Sequence, residues 1–140
     1  MMSPARVMYD VAKIWPNVTW WRQRPGHWTA VVPRHMTQTV IDKVIDHVDG
    51  LCTSVSYWTL HQDADDATIV VDVYGNDGVP IKVLDVFDLY ECPLGIDADG
   101  LRSNRIDSEL AEKLAVKLRR LDIDAYCTDG AVRIRPSVIR

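Results

Sequence analysis

The nine residues "WWRQRPGHW", Trp20 to Trp28, concentrate three tryptophans, two arginines and a histidine around a Pro-Gly pair. On an extended strand, Trp20, Arg22 and Arg24 project from one face, and Trp21 and Gln23 from the other. Aromatic rings beside guanidinium groups suit stacking on unpaired bases, at about 1–3 kcal/mol per stack, with Arg adding phosphate contacts. The same residue types anchor protein interfaces. They also suit a core, in which Trp21 and Trp28 fill the interior and the arginine stems cover its edge. The core role ranks first, a protein interface second and nucleic acid third.

Two further groups carry charge. Arg133 and Arg135 alternate with Val132 and Ile134, so they share a strand face and, with Arg119, Arg120 and Arg140, can extend a basic surface. Asp63, Asp65 and Asp66 cluster in one polar stretch, and Asp72, Asp77, Asp85, Asp88, Glu91, Asp97 and Asp99 follow. Spaced carboxylates can imitate a phosphate backbone, although acids more often serve to keep loops soluble.

Catalytic and metal patterns are thin. "DADG" (Asp97 to Gly100) resembles part of a calcium loop, but the acid required six residues after the Gly is Ile106. His27, His35, His47 and His61 are dispersed, with no His-x-x-x-His pair. The chain has no Gly-x-Ser-x-Gly, Walker loop or dinucleotide fingerprint. No cofactor or metal is expected. His27 after a Pro-Gly turn reads as a turn residue, and His35 as a capping or loop residue.

"RQRPGH" followed by "VVPRH" and a helix resembles the HicA-type messenger-RNA interferase toxins over about residues 11–48. That resemblance implies a small double-stranded-RNA-binding-like fold with His27 as the catalytic histidine. Here Pro-Gly-His stands where that family has Gly-Ser-His, and the segment before "VVP" is too short for the family's strand.

The elements that must position these residues follow from pattern. The chain of 140 residues has 47% hydrophobic and 26% charged residues, a composition suited to one folded domain, 1–140. Cys52, Cys92 and Cys127 are scattered and odd in number, which argues for reduced thiols. With no apolar run of membrane length and no signal-like start, a cytoplasmic location is expected. Arginine outnumbers lysine 11 to 5, a tilt that hints at a GC-rich, actinobacterial or phage source. Charge is segregated: residues 1–40 carry five Lys/Arg and one acid, residues 41–100 two and thirteen, and residues 101–140 nine and six. Distinct faces for distinct partners, or termini packed on an acidic middle, would each produce that pattern.

Ser3 and Pro4 open a helix carrying Val7, Met8, Val11 and Ile14, which Pro16 ends. Val18–Arg24 and Trp28–Val32 flank the Pro25-Gly26 turn. Thr37 is placed to cap a second helix with the stripe Val40, Ile41, Val44, Ile45 and Val48. Its wet side would hold Asp42, Lys43, Asp46, His47 and Asp49, and Gly50 its left-handed end. "SVSYWTL" reads as a strand. "TIVVDVYGNDGVPIKVLDVF" reads as a central hairpin turning at Asn76-Asp77-Gly78, and "CPLGIDADG" as a loop. A third helix capped by Asp107 or Ser108 carries Leu110, Leu114, Leu118 and Leu121, and a hairpin at Asp129-Gly130 closes before Pro136. Helix-then-hairpin units thus stand at both ends.

These patterns predict one α+β domain: a mostly antiparallel sheet of about five to seven strands with two or three packed helices. The functional expectation is a non-enzymatic intracellular interaction or regulatory protein, such as a phage or mobile-element accessory factor or inhibitor that binds a host protein. Its acidic patch would then serve as a nucleic-acid mimic. A second copy of the chain is an admissible partner, and no membrane is. The alternatives are an RNA- or single-strand-binding module and a small HicA-like nuclease using His27. The candidate binding residues are Trp20, Arg22, Arg24, His27, Trp28, Arg133, Arg135, Asp63, Asp65 and Asp66.

Overall fold

The computed structural model describes residues 2–48, 50 and 52–140. Helix α1 (Pro4–Ile14) begins as its sequence dictates, with the Ser3 side chain accepting from the Arg6 N–H and Pro4 in the first turn. It feeds the hairpin β1 (Trp20–Arg24) and β2 (His27–Pro33). Gly26 makes that turn at φ 75°, and a Cβ there would come within 2.6 Å of the Val73 carbonyl. The position is closed to other residues on both counts.

A short 3-10 turn, Arg34–Met36, leads into α2 (Thr37–His47). Thr37 is a buried first helical residue rather than the cap, and Ile45 is half exposed, outside the buried stripe. The helix ends at Val48, which turns extended and bridges to Met2, so no left-handed glycine is needed and Gly50 has no positive φ. Asp49 lies outside the described residues. Strands β3 (Thr53–Trp58) and β4 (Asp66–Val73) follow.

The hairpin expected at "YGNDGV" does not form; Ile81–Leu89 is a helix, α3. Asn76 and Asp77 use their side chains locally, accepting from the Gly78 and Val79 N–H groups at 2.9 Å each. The loop is pinned by Ala5 N–H donating to the Asp77 carbonyl and by Arg140 N–H donating to Gly78. Pro80 then precedes the helix, where its missing N–H costs nothing; in a central strand it would break the ladder. Val83, Val86 and Phe87 form the buried face, so packing overrides the β-branched composition.

The expected loop "CPLGIDADG" is instead the hairpin β5 (Leu94–Asp97) and β6 (Gly100–Ser103), with Ala98-Asp99 between. Asp107 caps α4 (Ser108–Arg120), accepting from the Leu110 N–H at 2.8 Å. The chain closes with β7 (Ala125–Thr128) and β8 (Ala131–Ile134), which turn at Asp129 and Gly130 with φ of 51° and 77°. Among the described residues the protein is therefore α+β with four α-helices and eight strands, more of each than the sequence pattern counts.

The helix-then-hairpin unit seen at both ends of the sequence occurs four times. The sheet order is β3-β4-β2-β1-β5-β6-β8-β7, every pair antiparallel. Read outward from the β1–β5 seam, the halves run β1-β2-β4-β3 and β5-β6-β8-β7, the same path twice. Register assigns the faces. Trp20, Trp28, Ile69, Val71, Leu94, Ile96, Leu101, Val132 and Ile134 share one side, and all belong to the core. The buried faces of α1, α2, α3 and α4 join that same cluster. All four helices thus cover one face and leave the other without a helix. Among the described residues, no helix is long and apolar enough to cross a membrane.

Candidate functional site

The aromatic-cationic hairpin is divided by the sheet. Trp20 and Trp28 are fully buried in the core and cannot meet an external partner in this fold, which corrects their candidacy as binding residues. Trp21, offered as a core residue, is half-buried on the helix-free side. Arg22 shares the covered face with Trp20, and its guanidinium is held by Asp88 of α3 at 2.7 Å with its side chain 8% exposed. A register shift between Arg22 and Arg24 breaks the alternation, and Arg24 is exposed at the hairpin end.

On the helix-free face one row crosses the entire sheet: Ser56, Val70, Thr29, Trp21, Gly95, Arg102, Arg133 and Tyr126. At its centre the Trp21 ring lies over Gly95, where a Cβ would sit 2.8 Å from the ring. The Arg102 guanidinium stands 5.8 Å from the ring centroid. Beyond the seam, Asp97 is bracketed by Arg133 at 3.0 Å and Arg102 at 3.6 Å. Arg135 pairs with Asp124 at 3.0 Å and covers the Tyr126 ring. Arg133 is thus engaged by Asp97 and Arg135 by Asp124, and neither is a free cation.

His27 and Asp72 are brought together on neighbouring strands, Nδ1 to Oδ1 at 2.6 Å. A carboxylate can only accept, so Nδ1 carries the proton and Nε2 has no hydrogen-bond partner among the described residues, the orientation a general base adopts. Ser54 lies on the far side of Asp72, and its hydroxyl pairs with Tyr74 at 3.2 Å, away from the imidazole. Among the described residues no hydroxyl or thiol is hydrogen-bonded to the imidazole, and the dyad ties β2 to β4.

A cleft of about 600 Å³ lies between the first hairpin and the end of α3, lined by Trp21, Arg22, Arg24, Asp88, Glu91 and Cys92 among others. Burial pushes the Cys92 thiol up, so it is a poor nucleophile, and its Sγ donates to Asn104. The two cations and two acids of the cleft balance one another. Among the described residues, no group of three or more His, Cys, Asp or Glu is placed to hold a metal.

The least satisfied surface is the outer end of the first half, where sequence reasoning named Asp63, Asp65 and Asp66 but not the apolar side chains beside them. Val31 of β2 and Trp58 of β3 both flank Thr68 of β4 on the helix-free face, and they are 60% and 52% exposed. Leu60 stands exposed just after Trp58, and Tyr57, paired with Ile69 and so on the opposite face of β3, is exposed as well. Trp58, Leu60, His61, Asp65, Asp66 and Thr68 line a depression of about 430 Å³. Asp63, in the same loop, is exposed. The loop is tied down by Arg34, whose backbone N–H donates to Asp65 and whose guanidinium donates to the Gln62 carbonyl. The available signal was "YW" in a strand: consecutive aromatics point to opposite faces, and an edge strand cannot bury both. No protein-family model, curated protein or solved structure shows significant similarity to this chain.

Proposed function

We propose that this chain is a non-enzymatic regulatory protein that holds a protein partner on the outer end of its first half. The observation that carries this reading is the exposed group Val31, Trp58 and Leu60, contiguous with the acidic loop at Asp63, Asp65 and Asp66. Exposed aromatic and aliphatic side chains gathered at one place mark interaction sites, and Trp and Tyr are the usual anchors of binding energy. The setting is the intracellular one expected from the cysteines, with the host protein as partner. Mimicry of a phosphate backbone draws less support, because Asp72, Asp88 and Asp97 each face a His or Arg of the chain itself.

A nucleic-acid reading has one observation in its favour, the row in which Trp21 and Tyr126 flank Arg102 and Arg133. Asp97 answers both arginines, and the net charge of −4 opposes a polyanion.

A photo-cross-linker placed at position 58, and in a control at the exposed Leu89 of α3, separates these readings in the native host. The expected result is one discrete protein adduct from position 58 and none from 89. The purified partner should then bind the wild type at least tenfold more tightly than Trp58→Ala. Equal labelling from both positions, or a nucleic-acid adduct with salt-sensitive binding, would overturn the reading.

A further inference from the structure

We infer that the free edge of β3 takes up an extended, cationic polypeptide segment as a ninth strand of the sheet. The inference rests on the reading above and names its partner's chemistry. Tyr74 N–H donates to the Cys52 carbonyl at 2.7 Å, and the register continues without a shift through Ser54↔Asp72, Ser56↔Val70 and Trp58↔Thr68. Hydrogen-bonded pairs alternate along an antiparallel ladder. Ser54, Ser56 and Trp58 therefore direct their backbone groups at β4, while Thr53, Val55 and Tyr57 direct theirs outward. Those outward N–H and C=O groups have no strand partner among the described residues.

Protein edges are normally blunted by Lys, Pro, a bulge or a covering element. β3 has six residues, "TSVSYW", with no Lys, Pro or bulge, and Ser54, Ser56, Tyr57 and Trp58 are exposed. The opposite edge strand, β7, has four residues, of which only Cys127 is exposed. The β3 edge is thus a template for strand addition, in which main-chain bonds supply affinity and side chains of alternate faces supply choice.

Charge identifies the occupant. Residues 37–73 contain seven aspartates and one lysine. Exposed Asp63, Asp65 and Asp66 follow β3 in sequence, and exposed Asp42 and Asp46 lie on α2, which packs beside it. A Lys/Arg-bearing strand is attracted there. A second copy pairing β3 to β3 would bring the same acids together, and nucleic acid is repelled.

The probe is a labelled nonapeptide of alternating Lys and Val, with its Glu-Val counterpart as control. Tyr57→Pro removes an outward N–H and leaves the bonds to β4 in place. The triple variant Asp63→Asn, Asp65→Asn, Asp66→Asn removes the charge. The Lys-Val peptide should bind the wild type and slow hydrogen exchange at the Val55 and Tyr57 amides, a readout that needs no variant. Tyr57→Pro and the triple variant should each weaken binding at least tenfold, and the Glu-Val peptide should not bind. No binding at about 1 mM peptide, or binding indifferent to Tyr57→Pro with no change in those amides, would refute the inference. Self-association of the chain that Tyr57→Pro abolishes would replace the cationic segment with a second copy. The position-58 adduct formed undiminished in Tyr57→Pro would refute strand addition alone, leaving a partner docked on the face.

Discussion

Residues 4–73 and 81–134 trace the same path of helix, hairpin, helix and hairpin, but they finish differently. In the first half β2 and β4 match seven residue pairs, from His27↔Asp72 to Pro33↔Asp66; in the second, β6 and β8 match two. On the helix-free face of those longer strands Val31 and Trp58 remain exposed, and Tyr57 is exposed on the other face of β3. The shorter half closes its outer face with ion pairs centred on Asp97. Topology alone does not make an interaction surface; the side chains set on the uncovered face and at the open edge do. A helix-free face that carries apolar side chains beside an open edge has apolar and backbone groups left to satisfy.

The comparison assumes that the β1–β5 seam couples the halves, and the largest expected effect tests it. Trp28→Ala empties a fully buried site in the first half and should cost about 3–5 kcal/mol. If the halves are one cooperative unit, hydrogen exchange should accelerate at the β6 and β8 amides as much as at β2 and β4. Acceleration confined to the first half would make them separate folding units.

Arg133→Ala breaks the closure of the second half by leaving the buried Asp97 carboxylate with the longer Arg102 contact and the Asp99 N–H. A loss of about 1–3 kcal/mol in denaturant unfolding is expected. A neutral result would mean that the ion pairs are decoration. Gly95→Ala acts on the seam itself, since its Cβ must displace the Trp21 ring. A cost of about 1 kcal/mol, accompanied by a change in tryptophan fluorescence, is expected. Unchanged fluorescence would show that the ring does not lie over that glycine.

The smallest effect is a pH dependence in the loop that joins the halves. Burial raises the Asp77 carboxyl above the ordinary 3.8, against the Val79 N–H and the charge of Arg22. With the folded value above the unfolded one, the native state gains a proton first as pH falls. The contribution of Asp77 to stability therefore grows as pH drops through the folded value and is complete below 3.8. Asp77→Asn keeps the acceptor and removes the buried charge. It should raise Tm slightly at pH 7, and the difference from wild type should shrink toward pH 4. A constant difference across that range would remove the charge from the explanation.

Local grammar determined much of this protein by itself. Ser3-Pro4, Pro25-Gly26, Asp107 and Asp129-Gly130 fix the ends and turns of α1, the first hairpin, α4 and the last hairpin through capping oxygens and positive φ, which act within a few residues. The α+β class and the antiparallel sheet were legible for the same reason. The segment "YGNDGVPIKVLDVF" was misread because its side chains suit a strand or a buried helix. Only contact of Val83, Val86 and Phe87 with the core selects the helix. The four-residue strands β5 and β6 read as a loop because Pro93, Gly95, Asp97, Asp99 and Gly100 interrupt the apolar alternation, whereas β7 and β8, as short, keep it around Asp129-Gly130. The site was least legible of all. Whether Trp20, Trp21 or Trp58 meets solvent depends on which face the helices cover and which strand lies at the edge. Strand order and helix placement are set by packing between residues far apart in the chain, and no local pattern records them.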